Sequence, residues 1–253
     1  MKKRLVIANW KLYVESPRAA AHFVSFLRKR SRAFSGVEAV IAPSFPLIGA
    51  VSGALGSGQI KLGAQTLSSV TDPQHTGDVS AAILKHSGVS YVIVGHSERR
   101  AAGESTEMVA QQLAQALAQG LKAVLCVGER EREASGAHFS FIAGQLTSAL
   151  TGVSAKQSDK LVIAYEPVWA IGKSAEDAMK PAELREMAIF IKKTLAERFE
   201  RKTALKVPIL YGGSVEPLNA RALVTEAGVS GFLVGHASAD ADSFIEILKA
   251  CKK

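Results

Sequence analysis

Short apolar runs rich in valine and isoleucine recur along the whole chain, and most of them are unbroken rather than alternating with polar residues. Unbroken runs of this length are typical of β-strands that are covered on both faces, as in a parallel sheet. Eight such runs are present, and they span residues 4–10, 37–43, 60–65, 91–96, 122–128, 161–167, 207–213 and 231–237.

Most of the intervals between these runs carry apolar residues three and four positions apart, which is the spacing of amphipathic helices. The spacing predicts helices over 108–120, 181–199 and 240–253. Gly120 stands at the end of the first of these segments, where glycine commonly terminates a helix, and Pro181 fits the first turn of the second.

Strand and helix alternate along the chain, and this order predicts an α/β fold with a parallel sheet. Eight units in 253 residues fit a closed (β/α)8 barrel that forms a single domain over residues 1–253. An open, doubly wound sheet is the alternative, and a GxGxxG turn after the first strand would favour it. No such motif follows residues 4–10.

The composition is that of a soluble globular protein, with 47% hydrophobic and 21% charged residues. The two cysteines form no disulfide framework or metal-binding pattern, so we expect a reducing, cytoplasmic location. The apolar stretch 5–8 is too short for an export signal, and no stretch approaches the roughly 20 residues of a membrane span. We therefore expect no membrane partner.

The net charge of +8 attracts anions in general, so its distribution matters more than its size. Basic residues are spread along the chain, and the densest stretch, residues 192–202, also contains Glu197 and Glu200 at helical spacing. This arrangement is typical of a solvated helix face. No aromatic interleaving or nucleic-acid motif accompanies it, so we expect no nucleic-acid partner.

Polar residues gather where the predicted strands end, and the chemistry of a (β/α)8 barrel lies at these carboxyl ends. Taken singly, each has an ordinary explanation, since a lone histidine is more often structural and a Gly-Gly-Ser segment is first of all a turn. Together they place lysine, histidine and glutamate beside glycine-rich turns, which indicates an acid/base site next to a phosphate cradle. The strand-end residues are Asn9, Lys11, His96, Glu98, Glu166, Gly212, Gly213, Ser214, Gly235 and His236.

Six motifs follow one another through the whole chain: NWK, TGDVS, YVIVGHSERR, AYEPVWAIG, YGGSV and VG-x-AS. In this order they resemble the triosephosphate isomerase family. The resemblance implies a homodimeric enzyme of glycolysis and gluconeogenesis that interconverts dihydroxyacetone phosphate and D-glyceraldehyde 3-phosphate through an enediolate. It also implies chemistry in which only protons move, with no cofactor and no metal.

The resemblance assigns a role to each polar residue at the carboxyl ends of strands one, four and six. Glu166 resembles the base that removes a proton from the carbon beside the carbonyl. His96 resembles the neutral electrophile that polarises the carbonyl, at the start of a helix whose positive end disfavours imidazolium. Lys11 resembles the cation that stabilises the enediolate and the phosphate. Asn9 would position Lys11, and Glu98 resembles a carboxylate that lies near it.

Further roles implied by the resemblance concern the phosphate, the lid and the partner subunit. A lid must cover the enediolate phosphate, because water would otherwise allow it to eliminate phosphate. Thr76 in the loop after strand three would reach the site of the partner subunit, whereas the motif alone is also consistent with a helix cap that has Asp78 in its first turn. The phosphate-binding positions are Gly172, Ser214, Gly235 and His236, together with Asn9 and Lys11; the first lid hinge is Pro167, Val168 and Trp169, and the second is Lys173, Ser174 and Ala175.

The sequence departs from the family pattern at three places. NWK is followed by Leu12, Tyr13 and Val14 instead of the usual polar residue, and Gln65 is followed by Thr66 instead of asparagine, which changes the dimer contact surface more than the chemistry.

Two residues are missing from the lid after Gly172 and residues 176–180 add length afterwards, so the latch that holds the lid closed is changed. His236 stands where the family has a second glycine, and a glycine there permits a positive φ that histidine tolerates at modest strain.

Two other functions remain open from the residues alone. One is another phosphate-binding barrel, such as an aldose-phosphate epimerase or an isomerase of the tryptophan pathway. The other is a barrel that has lost turnover and serves as a binding scaffold, although a scaffold has no use for Lys11, His96 and Glu166 together.

Overall fold

The chain forms a closed barrel of eight parallel β-strands that follow one another in chain order. The computed structural model describes residues 3–56, 58–133, 135–173 and 178–253. The barrel closes where Leu5 of the first strand pairs with Gly231 of the eighth. The strands are β1 (Arg4–Asn9), β2 (Val37–Ala42), β3 (Ile60–Ala64), β4 (Tyr91–Val94), β5 (Lys122–Val127), β6 (Leu161–Tyr165), β7 (Ile209–Tyr211) and β8 (Gly231–Val234).

Every apolar run that predicted a strand contains one, so the predicted (β/α)8 barrel is confirmed and the open-sheet alternative is wrong. The predicted ends were wrong by one to three residues, because the runs continue past the point where the strands leave the sheet. β4 ends at Val94 and β6 at Tyr165, so His96 and Glu166 lie beyond the sheet. Because these two residues follow the strand ends, their side chains can line the mouth of the barrel.

Helices surround the barrel, and in the sequence they lie between successive strands. Three of them match the predicted segments, and Gly120 follows the C-cap of the first with a φ of 75°. Pro181 occupies the first turn of the second, as predicted. The described residues form α1 (Pro17–Lys29), α2 (Ile48–Leu55), α3 (Ala81–His86), α4 (Ser97–Ala101), α5 (Thr106–Ala118), α6 (Ala137–Ala149), α7 (Pro181–Arg198), α8 (Arg201–Lys206), α9 (Pro217–Glu226) and α10 (Ala241–Ala250).

The unbroken apolar character of the strands follows from two separate layers of packing. Alternate strand residues such as Leu5 and Ile7 form one buried cluster with their counterparts on other strands, inside the barrel. The residues between them, such as Val6 and Ala8, join a second cluster that includes the inner faces of the helices. Both faces of each strand are thus covered, as expected for a parallel sheet.

None of the helices in the described ranges combines the length and the apolar composition that crossing a membrane requires.

We expect the barrel closure to depend on Gly231, which has a φ of 142° and no room for a side chain. A Cβ atom at this position would lie 1.8 Å from the backbone oxygen of Leu5. Gly231→Ala should therefore lower the free energy of unfolding by at least about 2 kcal/mol, through backbone strain and displacement of β8 from β1.

Gly144 in the interior of α6 supplies the matched control, because nothing lies within 4 Å of a Cβ added there. Gly144→Ala should raise the free energy of unfolding by about 0.5–1 kcal/mol, since it removes conformational freedom from the unfolded chain. Urea unfolding at one protein concentration measures both changes. Equal shifts in the two variants would show that the closure tolerates a side chain.

Candidate active site

The carboxyl ends of the strands surround a cavity of about 330 Å³. Most of the predicted catalytic and phosphate-binding residues meet there, although they come from six separate places in the sequence. The exception is Glu98, which contacts Lys11 from outside the cavity wall. The predicted residues that line the cavity are Asn9, Lys11, His96, Glu166, Gly172, Lys173, Ser214, Gly235 and His236.

Lys11 holds a strained backbone conformation at the mouth of this cavity. Its φ is 45°, and it is the only residue other than glycine with a positive φ in the part of the chain that the structure describes. Asn9 Oδ1 accepts the Lys11 amide hydrogen at 3.2 Å, and Gln65 Nε2 donates to the Lys11 carbonyl at 3.0 Å. Strain of this kind persists only where neighbours impose it, and it directs the side chain.

The Lys11 ammonium group is fixed by a carboxylate. Lys11 Nζ donates to Glu98 Oε1 at 2.6 Å, and the Lys11 side chain is 19% exposed while that of Glu98 is 58% exposed. An ion pair this exposed contributes little to stability. Its effect is to position the cation beside Gly235, where an added Cβ would lie 3.5 Å from Lys11 Cε.

His96 is held as a neutral imidazole with a defined tautomer. It caps the N-terminus of α4, and its Nδ1 accepts the backbone hydrogen of Glu98 at 3.2 Å. A nitrogen that accepts a hydrogen bond carries no proton, so the ring proton of this tautomer is on Nε2. Nε2 lies 3.3 Å from Glu166 Oε1.

Glu166 is almost fully buried, with 1% of the residue exposed. Its Oε2 accepts the Ser97 amide hydrogen at 3.1 Å, while its Oε1 faces His96. The turn after β5 approaches it closely, since a Cβ at Gly128 would lie 1.8 Å from the Glu166 carbonyl oxygen. A proton acceptor and a proton donor are therefore held against each other at the floor of the cavity.

Cys126 lies beneath this pair and remains a neutral thiol. Burial raises its pKa well above the usual value, and the neighbouring Glu166 carboxylate raises it further. A thiolate nucleophile requires a lowered pKa, so Cys126 is not suited to that role.

Glu129 anchors the predicted first lid hinge. Its Oε1 accepts hydrogen bonds from Tyr165 OH and Trp169 Nε1, both at 2.9 Å, and its backbone oxygen accepts the Val168 amide hydrogen at 2.9 Å. Burial, followed by the charge of Glu129, raises the pKa of Tyr165 far above its ordinary value, so the phenol stays a donor. Pro167 precedes this anchored turn without lining the cavity.

The other side of the hinge is held by Ser214, whose amide and hydroxyl groups both donate to the Ala170 carbonyl, at 3.2 and 3.0 Å. Beyond the hinge, Gly172 and Lys173 line the cavity. Ser174 and Ala175, the remaining residues of the predicted second hinge, lie outside the described residues.

His236 lines the cavity in an unstrained conformation. The expectation of a positive φ at this position is wrong, because the chain turns into a short 3₁₀ helix at residues 236–238. The imidazole packs edge-on against the ring of Tyr13, with 5.3 Å between ring centroids and 85° between the planes. Both rings thus form the wall beside Gly235 and Lys11.

Thr76 is exposed on the segment between β3 and α3, and it does not line the cavity of its own chain. The alternative of a helix cap with Asp78 in the first turn is wrong, because α3 is capped by Ser80. Asp78 instead accepts the Ser68 hydroxyl at 2.6 Å and closes the base of the loop. The loop therefore contributes no residue to the cavity of its own chain.

Tyr13, Gln65 and Glu129 contribute to the site although the sequence did not predict a role for them there. Gln65 and Glu129 both follow strand ends, so the rule that located His96 and Glu166 applies to them as well. Tyr13 lies two residues beyond Lys11 and carried no comparable signal.

The site contains a buried carboxylate in contact with a neutral imidazole, and both lie beside glycine-rich turns at the carboxyl end of a (β/α)8 barrel. These features define a class of protein, the barrels that can carry out proton transfer on an anionic ligand.

Comparison with known proteins narrows this class. The sequence model of the triosephosphate isomerase family matches residues 4–251. The triosephosphate isomerase of Carboxydothermus hydrogenoformans is 41% identical over 251 residues, which cover 98% of this chain and 99% of the relative. That of Symbiobacterium thermophilum is 40% identical over 252 residues, with 99% and 97% covered, and that of Thermus thermophilus is 39% identical over 251, with 98% and 99% covered. The chain belongs to the triosephosphate isomerase family.

We expect His236 to favour phosphate binding at low pH, because a protonated imidazole on the cavity wall attracts a dianion. The affinity of the native chain for sn-glycerol 3-phosphate, divided by that of His236→Gly, should rise as the pH falls from 8.5 to 5.5. An exposed charge pair contributes at most about 1 kcal/mol, so the ratio should reach about fivefold at most.

The phosphate itself titrates near pH 6 whichever protein form binds it, so dividing the affinity of the native chain by that of His236→Gly cancels this contribution. Calorimetric titration at several pH values measures this ratio, and Tyr13→Ala tests whether the edge-on contact with Tyr13 is needed to hold the imidazole. A ratio that stays constant across the pH range would make His236 a spacer without a part in anion binding.

Proposed function

We propose that the chain interconverts dihydroxyacetone phosphate and D-glyceraldehyde 3-phosphate. The observation that carries the proposal is the contact of 3.3 Å between Glu166 Oε1 and His96 Nε2 at the floor of the cavity. This contact pairs a buried base with a neutral acid on the face to which a substrate must bind. Family membership over nearly the whole chain supports the same substrate pair.

The proposed reaction moves two protons and leaves all heavy atoms in place. Glu166 takes a proton from the carbon beside the carbonyl, and the His96 Nε2 hydrogen is donated to the carbonyl oxygen. Bound substrate therefore displaces Glu166 from His96, so that each group turns to a different atom of the substrate. Glu166 then returns its proton to the neighbouring carbon, which had carried the carbonyl oxygen. His96 Nε2 recovers a proton from the hydroxyl oxygen on the first carbon, which becomes the new carbonyl.

The charge that develops is one oxyanion on the enediolate. Lys11, fixed by Asn9 and Glu98, lies at the mouth where it attracts both this oxygen and the phosphate. His96 and Lys11 suffice for this charge, so the proposal includes no cofactor and no metal. Gly172, Ser214, Gly235 and His236 are the proposed phosphate positions, and all four line the cavity.

The proposed lid turns at Pro167, Val168 and Trp169, where Glu129 and Ser214 hold the turn from both sides. The two residues missing after Gly172, with the length added at residues 176–180, change the sequence of the segment that would close over the phosphate. Lys173, which lines the cavity, brings a positive charge to the place where the family has backbone amides. The second hinge remains a proposal at Lys173, Ser174 and Ala175.

We further propose a homodimer in the cytoplasm. Leu12 and Tyr13, directly after Lys11, are 79% and 49% exposed, which is unusual for apolar side chains beside an active site. The loop that carries Thr76 is the proposed partner element that covers them. Cys126 and Cys251 are both free and buried, in keeping with a reducing compartment.

Glu166→Gln should lower the turnover number by about 10²-fold to 10⁴-fold or more, because the amide cannot take up the proton. The amide oxygen still accepts from Ser97, so the thermal unfolding temperature should stay within a few degrees. A coupled assay of glyceraldehyde 3-phosphate conversion measures turnover. Near-native turnover would mean that another group is the base, and an inactive native chain would favour the scaffold or the epimerase.

Thr76→Arg should shift the protein from dimer to monomer and lower its activity in the same proportion. Ser140→Arg on the exposed face of α6 adds the same charge away from the proposed interface and serves as the control. Sedimentation velocity over a dilution series, with the isomerase assay on the same samples, measures both. A fully active monomer would contradict the proposed role of the loop.

A further inference from the structure

The cavity at the strand ends has few positive side chains for the anion that it is proposed to bind. In the part of the chain that the structure describes, its lining includes two lysines, Lys11 and Lys173, and no arginine. Two carboxylates, Glu166 and Glu216, line the same cavity and repel an anion. The affinity for a phosphate dianion therefore depends on how these two lysines are engaged.

Lys11 is already engaged by a carboxylate of its own chain. Its Nζ donates to Glu98 Oε1 at 2.6 Å, so the charge of the ammonium group is partly neutralised before any ligand binds. The proposed mechanism also assigns Lys11 to the oxyanion of the enediolate. Lys11 by itself therefore leaves much of the charge of a phosphate dianion without compensation.

The donors of Ser214 are engaged as well. Both its amide and its hydroxyl group donate to the Ala170 carbonyl, at 3.2 and 3.0 Å. A phosphate group has three strongly accepting oxygens, so it requires donors from elsewhere on the wall. The chain continues from Ala170 into Ile171, Gly172 and Lys173, and all three of these residues line the cavity.

A turn after the first hinge brings Lys173 onto this wall. The Ile171 amide donates to the Val168 carbonyl at 3.2 Å, and Gly172 follows with a φ of 73°, a left-handed conformation that glycine adopts without strain. Lys173 lies three residues beyond Ala170, so its backbone is within about 11 Å of the contact that holds the Ala170 carbonyl. Its flexible four-carbon side chain extends this reach.

The Lys173 side chain has no competing carboxylate among the residues that the structure describes. Lys173 is exposed, and it belongs to none of the ion pairs that join described residues. In this respect it differs from Lys11, which is paired with Glu98. A lysine that lines an anion-binding cavity without a carboxylate partner has its charge available for the anion.

We propose that Lys173 is a phosphate-binding residue, whose ammonium group binds the phosphate dianion of the triose phosphate. This inference rests on the proposed function, since it assumes that the cavity binds a phosphate ester. A side-chain charge then takes over part of the contribution that backbone amides of the lid make in the family. The proposed hinge role of Lys173 acts through its backbone torsions, so one residue can serve in both ways.

Lys173→Gln should weaken the binding of sn-glycerol 3-phosphate about fivefold or more, because it removes a charge-assisted hydrogen bond. Lys173→Arg should restore the affinity to within about twofold, since it returns the positive charge. Inorganic phosphate, measured by competition, should show the same loss, because the contact is with the phosphate group and not with glycerol. Calorimetric titration of the full chain at pH 8.5, where an ordinary imidazole is neutral, measures these affinities with the least contribution from His236.

Lys202→Gln is the matched control. Lys202 is exposed on α8 and does not line the cavity, so this variant changes the net charge by the same amount away from the site. Its affinity for sn-glycerol 3-phosphate should change by less than about twofold, and the loss in Lys173→Gln should shrink as KCl rises from about 20 mM to about 500 mM, because salt screens exposed charges. A loss caused by an altered backbone would persist at high salt.

Isomerase kinetics separate a phosphate ligand from a residue that acts only as a hinge. If Lys173 binds the phosphate, the KM of Lys173→Gln should rise by the factor by which sn-glycerol 3-phosphate binding weakens. A hinge residue alters the rate of a conformational step, which changes kcat and KM together. A lowered kcat with unchanged affinity for sn-glycerol 3-phosphate would make Lys173 a hinge residue only and would overturn the proposal.

The binding experiment also distinguishes the failure of this inference from the failure of the proposed function. Equal affinity of the native chain and Lys173→Gln for sn-glycerol 3-phosphate would refute the role of Lys173 and leave the proposed function standing. An equal loss in Lys202→Gln would show that the net charge of the chain, and not a contact with Lys173, attracts the anion. A native chain that binds neither sn-glycerol 3-phosphate nor inorganic phosphate would refute the proposed phosphate site, and the role of Lys173 with it.

Discussion

The closure of the sheet between β1 and β8 is the constraint on which the remaining features depend. Once Leu5 pairs with Gly231, all eight strands run parallel around one axis and their carboxyl ends form one ring. Side chains that are separated by more than 150 residues in the sequence, such as Asn9 and Glu166, then line one cavity. The interior of the barrel is filled by apolar side chains, so the polar side chains of this cavity lie at the ring of strand ends and not within the barrel.

The fold and the main site residues could be predicted because they depend on patterns that are local in the sequence. An unbroken apolar run marks a strand, and a histidine or glutamate immediately after it marks the ring, as for His96 and Glu166. The conformation of Lys11 could not be predicted, because its φ of 45° is imposed by Asn9 and by Gln65, which lies on a different strand end. The hydrogen bond between Trp169 and Glu129 could not be predicted either, since it joins residues 40 positions apart in the sequence.

Glu129 joins the turn after β5 to the segment that follows β6. Its side-chain Oε1 holds the proposed lid hinge through Trp169, and its backbone oxygen holds Val168, while its Oε2 is buried without a hydrogen-bond partner among the described residues. The turn after β5 and the proposed lid hinge are thus joined through one buried residue.

The contact between Tyr13 and His236 shows why a departure from a family pattern is best interpreted in three dimensions. In the sequence, a histidine in place of a glycine suggested local backbone strain, and Tyr13 suggested only a change of surface. In the structure the backbone at His236 is unstrained, and its ring lies against Tyr13. The two departures together build one aromatic wall beside Lys11 and Gly235, so they alter the chemistry of the proposed phosphate side of the cavity rather than the stability of the turn.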